Sequence, residues 1–125
     1  MSSRLEKTHK ILEELEEEAT DVIGAAIIKT NGLIVSSALP KETDERMIAA
    51  MSAALLGTSK RTAEALFNGV FKSLHLELNK GDMFLLRAGR VILAVITQKE
   101  PNVGLISLQM EETSKKIKEL FKMEE

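Results

Sequence analysis

Between Met47 and Leu56 every residue except Ser52 is apolar. The surroundings read as a helix over residues 43–67: Asp44 and Glu45 suit the positive end of a helix dipole, and Lys60 and Arg61 fall toward the other end. A helix resting on one core needs a single apolar stripe, whereas a segment apolar nearly all round needs apolar neighbours on two sides. In a chain of 125 residues, one of those sides can lie on a sheet. The other must meet something else, and a second copy of the same helix is the simplest candidate. Ala49, Ala50, Ser52, Ala53 and Ala54 would let two backbones approach closely.

The rest of the chain supplies the sheet. Ser3 followed by Glu6 has capping-box spacing and precedes Leu5, Ile11, Leu12, Leu15 and Ala19, which form one helical stripe. This first helix ends near Glu18, with Glu13, Glu14, Glu16 and Glu17 mostly toward water. Two β-prone runs, 22–29 and 33–38, meet at Asn31-Gly32. That pair signals a tight hairpin, because a type I′ turn needs positive φ at both positions. Pro40 ends the hairpin. Beyond Gly69 come three further strands, 71–78, 83–88 and 91–97, the first alternating Leu74, Leu76 and Leu78 with Ser73, His75 and Glu77. The connectors Lys80-Gly81-Asp82 and Ala88-Gly89-Arg90 are too short for anything but hairpins, so these strands run antiparallel. The last strand, VILAVI, is continuously apolar and belongs at the centre of the sheet. Pro101 and Asn102 introduce a final helix with Val103, Ile106, Met110, Thr113, Ile117 and Leu120 on one stripe. Helix, two strands, helix, three strands, helix is an α+β order, a five-stranded antiparallel sheet covered by helices. With no repeat, low-complexity tract or linker, residues 1–125 are expected to form one domain.

Patterns that carry chemistry are sparse. The absence of cysteine removes disulfides and thiol nucleophiles. His9 and His75 lie on different elements, without the spacing of a helical metal site. The carboxylates of residues 13–18 and 111–112 read as solvated helix faces. Residues 57–62 have a faint likeness to a phosphate loop, but the first glycine is missing and Lys60 does not follow a glycine. Arg46, Arg61, Arg87 and Arg90 could each be extended into a partner's active site, and each also reads as an ordinary surface residue. No catalytic, cofactor-binding or metal-binding residue is assigned, and the chain is expected to be neither an enzyme nor a cofactor carrier. With 17 Lys+Arg against 19 Asp+Glu and no Trp or Tyr, it offers nucleic acid neither a general attraction nor a stacking platform. The start, MSSRLEKTHK, is not a signal peptide, and the longest apolar stretch is well short of the ~20 residues of a membrane span. A cytoplasmic protein without direct membrane insertion is expected.

The string VIGAAII at 22–28 with its Asn31-Gly32-Leu33 turn comes first, followed by the Ala-rich middle helix. Leu85-Leu86-Arg87-Ala88-Gly89 and Pro101-Asn102-Val103-Gly104-Leu105-Ile106 complete the series. Together and in order, the chain resembles the Roadblock/dynein light-chain family, including MglB-like GTPase regulators of bacteria and their archaeal relatives. The resemblance implies the long middle helix on one sheet face and the two terminal helices on the other. It further implies a homodimer joined through the middle helix and the strand after it. That carries onto Met47, Met51, Ala54, Leu55 and Thr58 in the helix and Ser73, His75 and Glu77 in the strand. For function it implies a non-enzymatic homodimeric regulator or scaffold of a Ras-like small GTPase, sometimes stimulating GTP hydrolysis. One competing reading is a structural adaptor for a motor, filament or membrane-associated complex. Another is a small-molecule sensory domain, which the aliphatic core equips poorly to orient a ligand.

Overall fold

A computed structural model describes residues 3–122. The elements are α1 (Arg4–Glu18), β1 (Val22–Lys29), β2 (Ile34–Ala38), α2 (Glu45–Phe67), β3 (Ser73–Glu77), β4 (Asp82–Ala88), β5 (Val91–Thr97) and α3 (Val103–Lys122). The five strands form one sheet in the order β2-β1-β5-β4-β3, with every neighbouring pair antiparallel. The terminal helices α1 and α3 pack side by side on one face, α1 over β1 and β2 and α3 over β4. Opposite them, α2 lies over β1 and β2.

Strand alternation divides the apolar residues between two cores. Ala25, Ile27, Leu93 and Val95 point toward α1 and α3 and meet Leu12, Leu15, Ile106 and Ile117. Their neighbours Ala26, Ile28, Ile92 and Ala94 point toward α2 and meet Ala49 and Leu56. This two-sided burial is why β1 and β5 are apolar at nearly every position and why they occupy the middle of the sheet. Ala26 pairs with Ala94 directly across the sheet, and with Ala49 above them the small side chains let α2 sit close.

Each helix starts on a side-chain cap. Ser3 Oγ accepts from the Glu6 N–H at 3.1 Å, Asp44 Oδ1 accepts from Arg46 and Met47 at 3.0 and 3.2 Å, and Asn102 Oδ1 accepts from Leu105 at 3.1 Å. Such caps satisfy N–H groups that the first helical turn leaves without partners. Asn68 ends α2 in the left-handed region, φ 48°. The link from β5 to α3 is held by Asp21, whose carboxylate accepts from the Asn102 N–H at 2.8 Å and from the Gln98 amide. Those two hydrogen bonds hold the Asp21 carboxyl below its ordinary pKa.

Two details differ from the sequence expectation. In the β1–β2 turn only Gly32 has positive φ. Gly32 N–H donates to Lys29 O at 3.0 Å and Lys29 N–H donates to Leu33 O at 2.8 Å. The Asn31 carboxamide oxygen meanwhile accepts from the Leu33 N–H at 3.1 Å. The hairpin therefore turns through Thr30 and Asn31 with Gly32 as a bulge, not through a type I′ pair. Strand β3 is also shorter than residues 71–78. Phe71 is drawn into the core beneath α2 before the strand begins, and Leu78 lies past its end, exposed. Among the described residues no helix is long and apolar enough to cross a membrane.

Candidate interaction surface

Helix α2 is much longer than the patch of sheet it covers. Its buried residues are Ala49, Ser52 and Leu56, and no residue after Leu56 is buried. Round the helix from these, Met47, Met51, Ala54 and Thr58 follow at spacings of four, three and four, which puts them on one face. Met47 and Met51 are 58% and 55% exposed, Ala54 and Thr58 are exposed, and Leu55 flanks them half-buried. Two large methionines side by side on an open helix face are unusual for a domain whose own core is filled by Leu, Ile and Val.

The second part of the surface is the edge of the sheet. Among the described residues β3 pairs with β4 alone, so its outer row of N–H and C=O groups is unpaired. On the α2 side of this edge Leu74, Leu76 and Met83 are only half-buried, because α2 stops over β1 and β2.

Ser73, His75 and Glu77 face the other way. His75 pairs with Phe84 in the ladder, and Phe84 belongs to the core under α1 and α3. The eight candidate residues thus form two groups on opposite faces of the sheet: Met47, Met51, Ala54, Leu55 and Thr58 on α2, and Ser73, His75 and Glu77 on the α3 side of the edge strand. They do not form one contact cluster. What joins them is the edge itself, since pairing through the β3 backbone would carry both faces of the strand along.

His75 has a more specific role than a solvent-facing strand residue. Its ring stacks on Phe84, centroids 4.2 Å apart, and its Nε2 lies 2.7 Å from Asp82 Oδ2. Asp82 is buried, and its backbone N–H donates to Thr97 Oγ1 at 3.1 Å. A buried carboxylate needs a compensating partner, and His75 is the side chain that supplies it. The pairing register could have revealed this, because Glu77 opposite Asp82 and His75 opposite Phe84 bring His75 diagonally to Asp82. A groove of about 160 Å³ beside His75 is lined by Ser73, Phe84, Val103, Ser107 and Met110.

The arginines are dispersed. Arg46 is exposed at the start of α2, Arg61 donates to Thr58 Oγ1 at 3.5 Å, and Arg87 donates to Gly89 O at 3.2 Å beside Arg90 on the β4–β5 turn. Among the described residues no group of three or more His, Asp or Glu is arranged to hold a metal ion.

Similar proteins share the chain length, and the solved ones share the fold. An uncharacterised protein of Methanocaldococcus jannaschii is 33% identical over 108 residues, covering 86% of this chain and 95% of its own. The solved structure of Myxococcus xanthus MglB superposes with a TM-score of 0.88 at 22% identity, covering 94% of this chain and 96% of that one. An MglB with a tetrameric arrangement superposes with a TM-score of 0.87 at 16% identity, over 96% and 91% of the two chains. The sequence profile of the Roadblock/LC7 domain matches residues 8–97. With five antiparallel strands between one middle helix and two terminal ones, the chain is a member of the Roadblock/LC7 domain family.

Proposed function

We propose that this protein is a non-enzymatic, homodimeric scaffold that regulates a Ras-like small GTPase. The observation that carries the dimer is the open stripe of Met47, Met51, Ala54 and Thr58 on α2, on the same side of the sheet as the half-covered Leu74 and Leu76 of an unpaired edge strand. A two-fold axis beside β3 would set α2 against its copy and β3 against its copy, each surface meeting itself. Pairing removes the liability of an open sheet edge and covers the methionines. A specific interface of this kind buries on the order of 1,200–2,000 Å². Membership of the Roadblock/LC7 family supports the regulatory or scaffolding role, and the tetrameric MglB relative supports assembly from copies of this fold. The resemblance to MglB-type regulators supports a GTPase as the partner.

The test is a pull-down from source-cell lysate with the tagged protein, in parallel with GDP and with a non-hydrolysable GTP analogue. Enrichment of a small GTPase in one lane is the expected result, and that GTPase then enters single-turnover hydrolysis assays with and without the dimer. A partner set identical in both lanes and free of GTPases would overturn the regulator reading and leave a structural adaptor.

A further inference from the structure

The corner of the molecule around the β4–β5 turn combines cations and exposed apolar side chains. Lys72, Arg87, Arg90 and Lys118 line a groove of about 620 Å³ between the turn and α3. Arg87 and Arg90, joined by Lys60, also line a second groove between the turn and α2. The backbone brings these groups together. Arg87 N–H donates to Lys72 O at 3.0 Å, and the stem of Lys118 passes 3.7 Å from the position a side chain on Gly89 would occupy. Lys60, Lys72 and Lys118 make no ion pair or side-chain hydrogen bond among the described residues. Among the described residues, Glu111 is the single acid lining either groove. This concentration of positive charge stands in a chain with more acids than bases.

Beside it, Phe67 and Val70 are 78% and 72% exposed, and Val70 lines the same groove as Lys72. Phe67 is exposed because α2 runs on past the sheet. Sixteen residues after Met51, at roughly 100° per residue, it points about 160° away from the methionine stripe. Dimerisation along that stripe therefore leaves Phe67 uncovered.

We propose that this corner docks on an anionic membrane surface, the cations at the level of the lipid phosphates and Phe67 and Val70 in the boundary between headgroups and acyl chains. Charge complementarity selects an anionic partner. The projecting apolar tips have no use in holding a free phosphate, and a fluid interface accepts them without a shaped pocket. The protein then lies on the bilayer and does not span it, which would concentrate the scaffold on a surface.

Vesicle co-sedimentation tests this with the full chain, using phosphatidylcholine vesicles with and without phosphatidylglycerol at low and high salt. The expected result is binding only to the anionic vesicles, weakened by salt as exposed charge pairs are screened. Lys72→Gln with Lys118→Gln should reduce partitioning on the order of fivefold for each cation removed. Phe67→Ser should weaken binding while preserving its salt dependence. All three positions are exposed, and circular dichroism checks that the variants fold. Absence of wild-type binding to anionic vesicles at low salt would overturn the proposal, as would equal binding to neutral ones or an unaltered double variant. Binding of poly-glutamate that depends on Lys72 and Lys118, with no vesicle binding, would overturn it in favour of an acidic protein partner.

Discussion

Among the described residues, Glu16, Ser36 and Ser52 hold side-chain polar atoms that the fold buries without a partner. Ser52, on the sheet side of α2, is 2% exposed, and its hydroxyl makes no hydrogen bond. An unsatisfied buried hydroxyl costs on the order of 1–3 kcal/mol, and alanine is the better helix former. Ser52→Ala is expected to stabilise the fold by about 1 kcal/mol, a rise in Tm of roughly 3–6 °C by calorimetry. An unchanged Tm would mean that the hydroxyl finds a water. Glu16 presents the charged version of the same situation. Its Oε1 is buried without a partner. Burial first, and the neighbouring Glu13 carboxylate second, push its pKa above the ordinary 4.5, with His9 opposing them weakly. A carboxyl whose pKa is raised by folding adds stability below its unfolded pKa and loses it as pH rises through the folded one. Glu16→Gln should therefore stabilise the protein at neutral pH, with the gain shrinking as pH falls toward 4.5 and vanishing below it. Thermal melts of both proteins across that range read the difference, and a gain independent of pH would assign it to packing.

At the scale of the element, α2 carries the surface proposed for assembly. Its sheet side is occupied by Ala49, Ser52 and Leu56, and its outer stripe is occupied by nothing in the single chain. Met51→Glu places a carboxylate on that stripe. In one chain the position is 55% exposed, so the fold tolerates the charge. In a helix–helix seam the same charge would be desolvated without a partner, at a cost of several kcal/mol. The variant should elute as a folded monomer by size exclusion with light scattering, at concentrations where the parent is a dimer. A variant as dimeric as the parent would move the seam off this face. The α2 anomaly was legible in the sequence because an all-round apolar helix violates the single-stripe rule wherever it occurs. The element order was legible for a related reason: Gly81 and Gly89 leave only hairpin-length connectors, and β5 is apolar on both faces. Less was legible at β3. Alternation separates Leu74 and Leu76 from Ser73, His75 and Glu77, but it does not say which group shares a face with α2. That depends on the hairpin register with β4, through which His75 meets Phe84 and Asp82. The type of the Asn31-Gly32 turn escaped for a similar reason, because Asn-Gly fits two turn geometries and the sequence does not decide between them.

At the scale of the whole molecule, the surface area states what the single chain leaves undone. It exposes 7903 Å², whereas a monomeric protein of 13.8 kDa exposes roughly 6,600 Å² by the usual scaling. The exposed Met47 and Met51 of α2 and the half-buried Leu74 and Leu76 of β3 are part of that surface. A dimer of standard size hides roughly 800 Å² on each partner, which recovers most of that difference. If the fold is completed in this way, its stability is tied to protomer concentration, because dissociation and unfolding share one equilibrium. A hundredfold rise in concentration adds about 2.7 kcal/mol per dimer. Spread over the unfolding entropy of two such chains, about 2.1 cal/mol/K per residue, it should raise Tm by roughly 5 °C. Met51→Glu should melt at a temperature independent of concentration, since its unfolding is unimolecular. Differential scanning calorimetry of both proteins over that range separates the alternatives: a parent Tm that stays fixed would show that the single chain is the cooperative unit, and that the open face of α2 contributes nothing to the folded state.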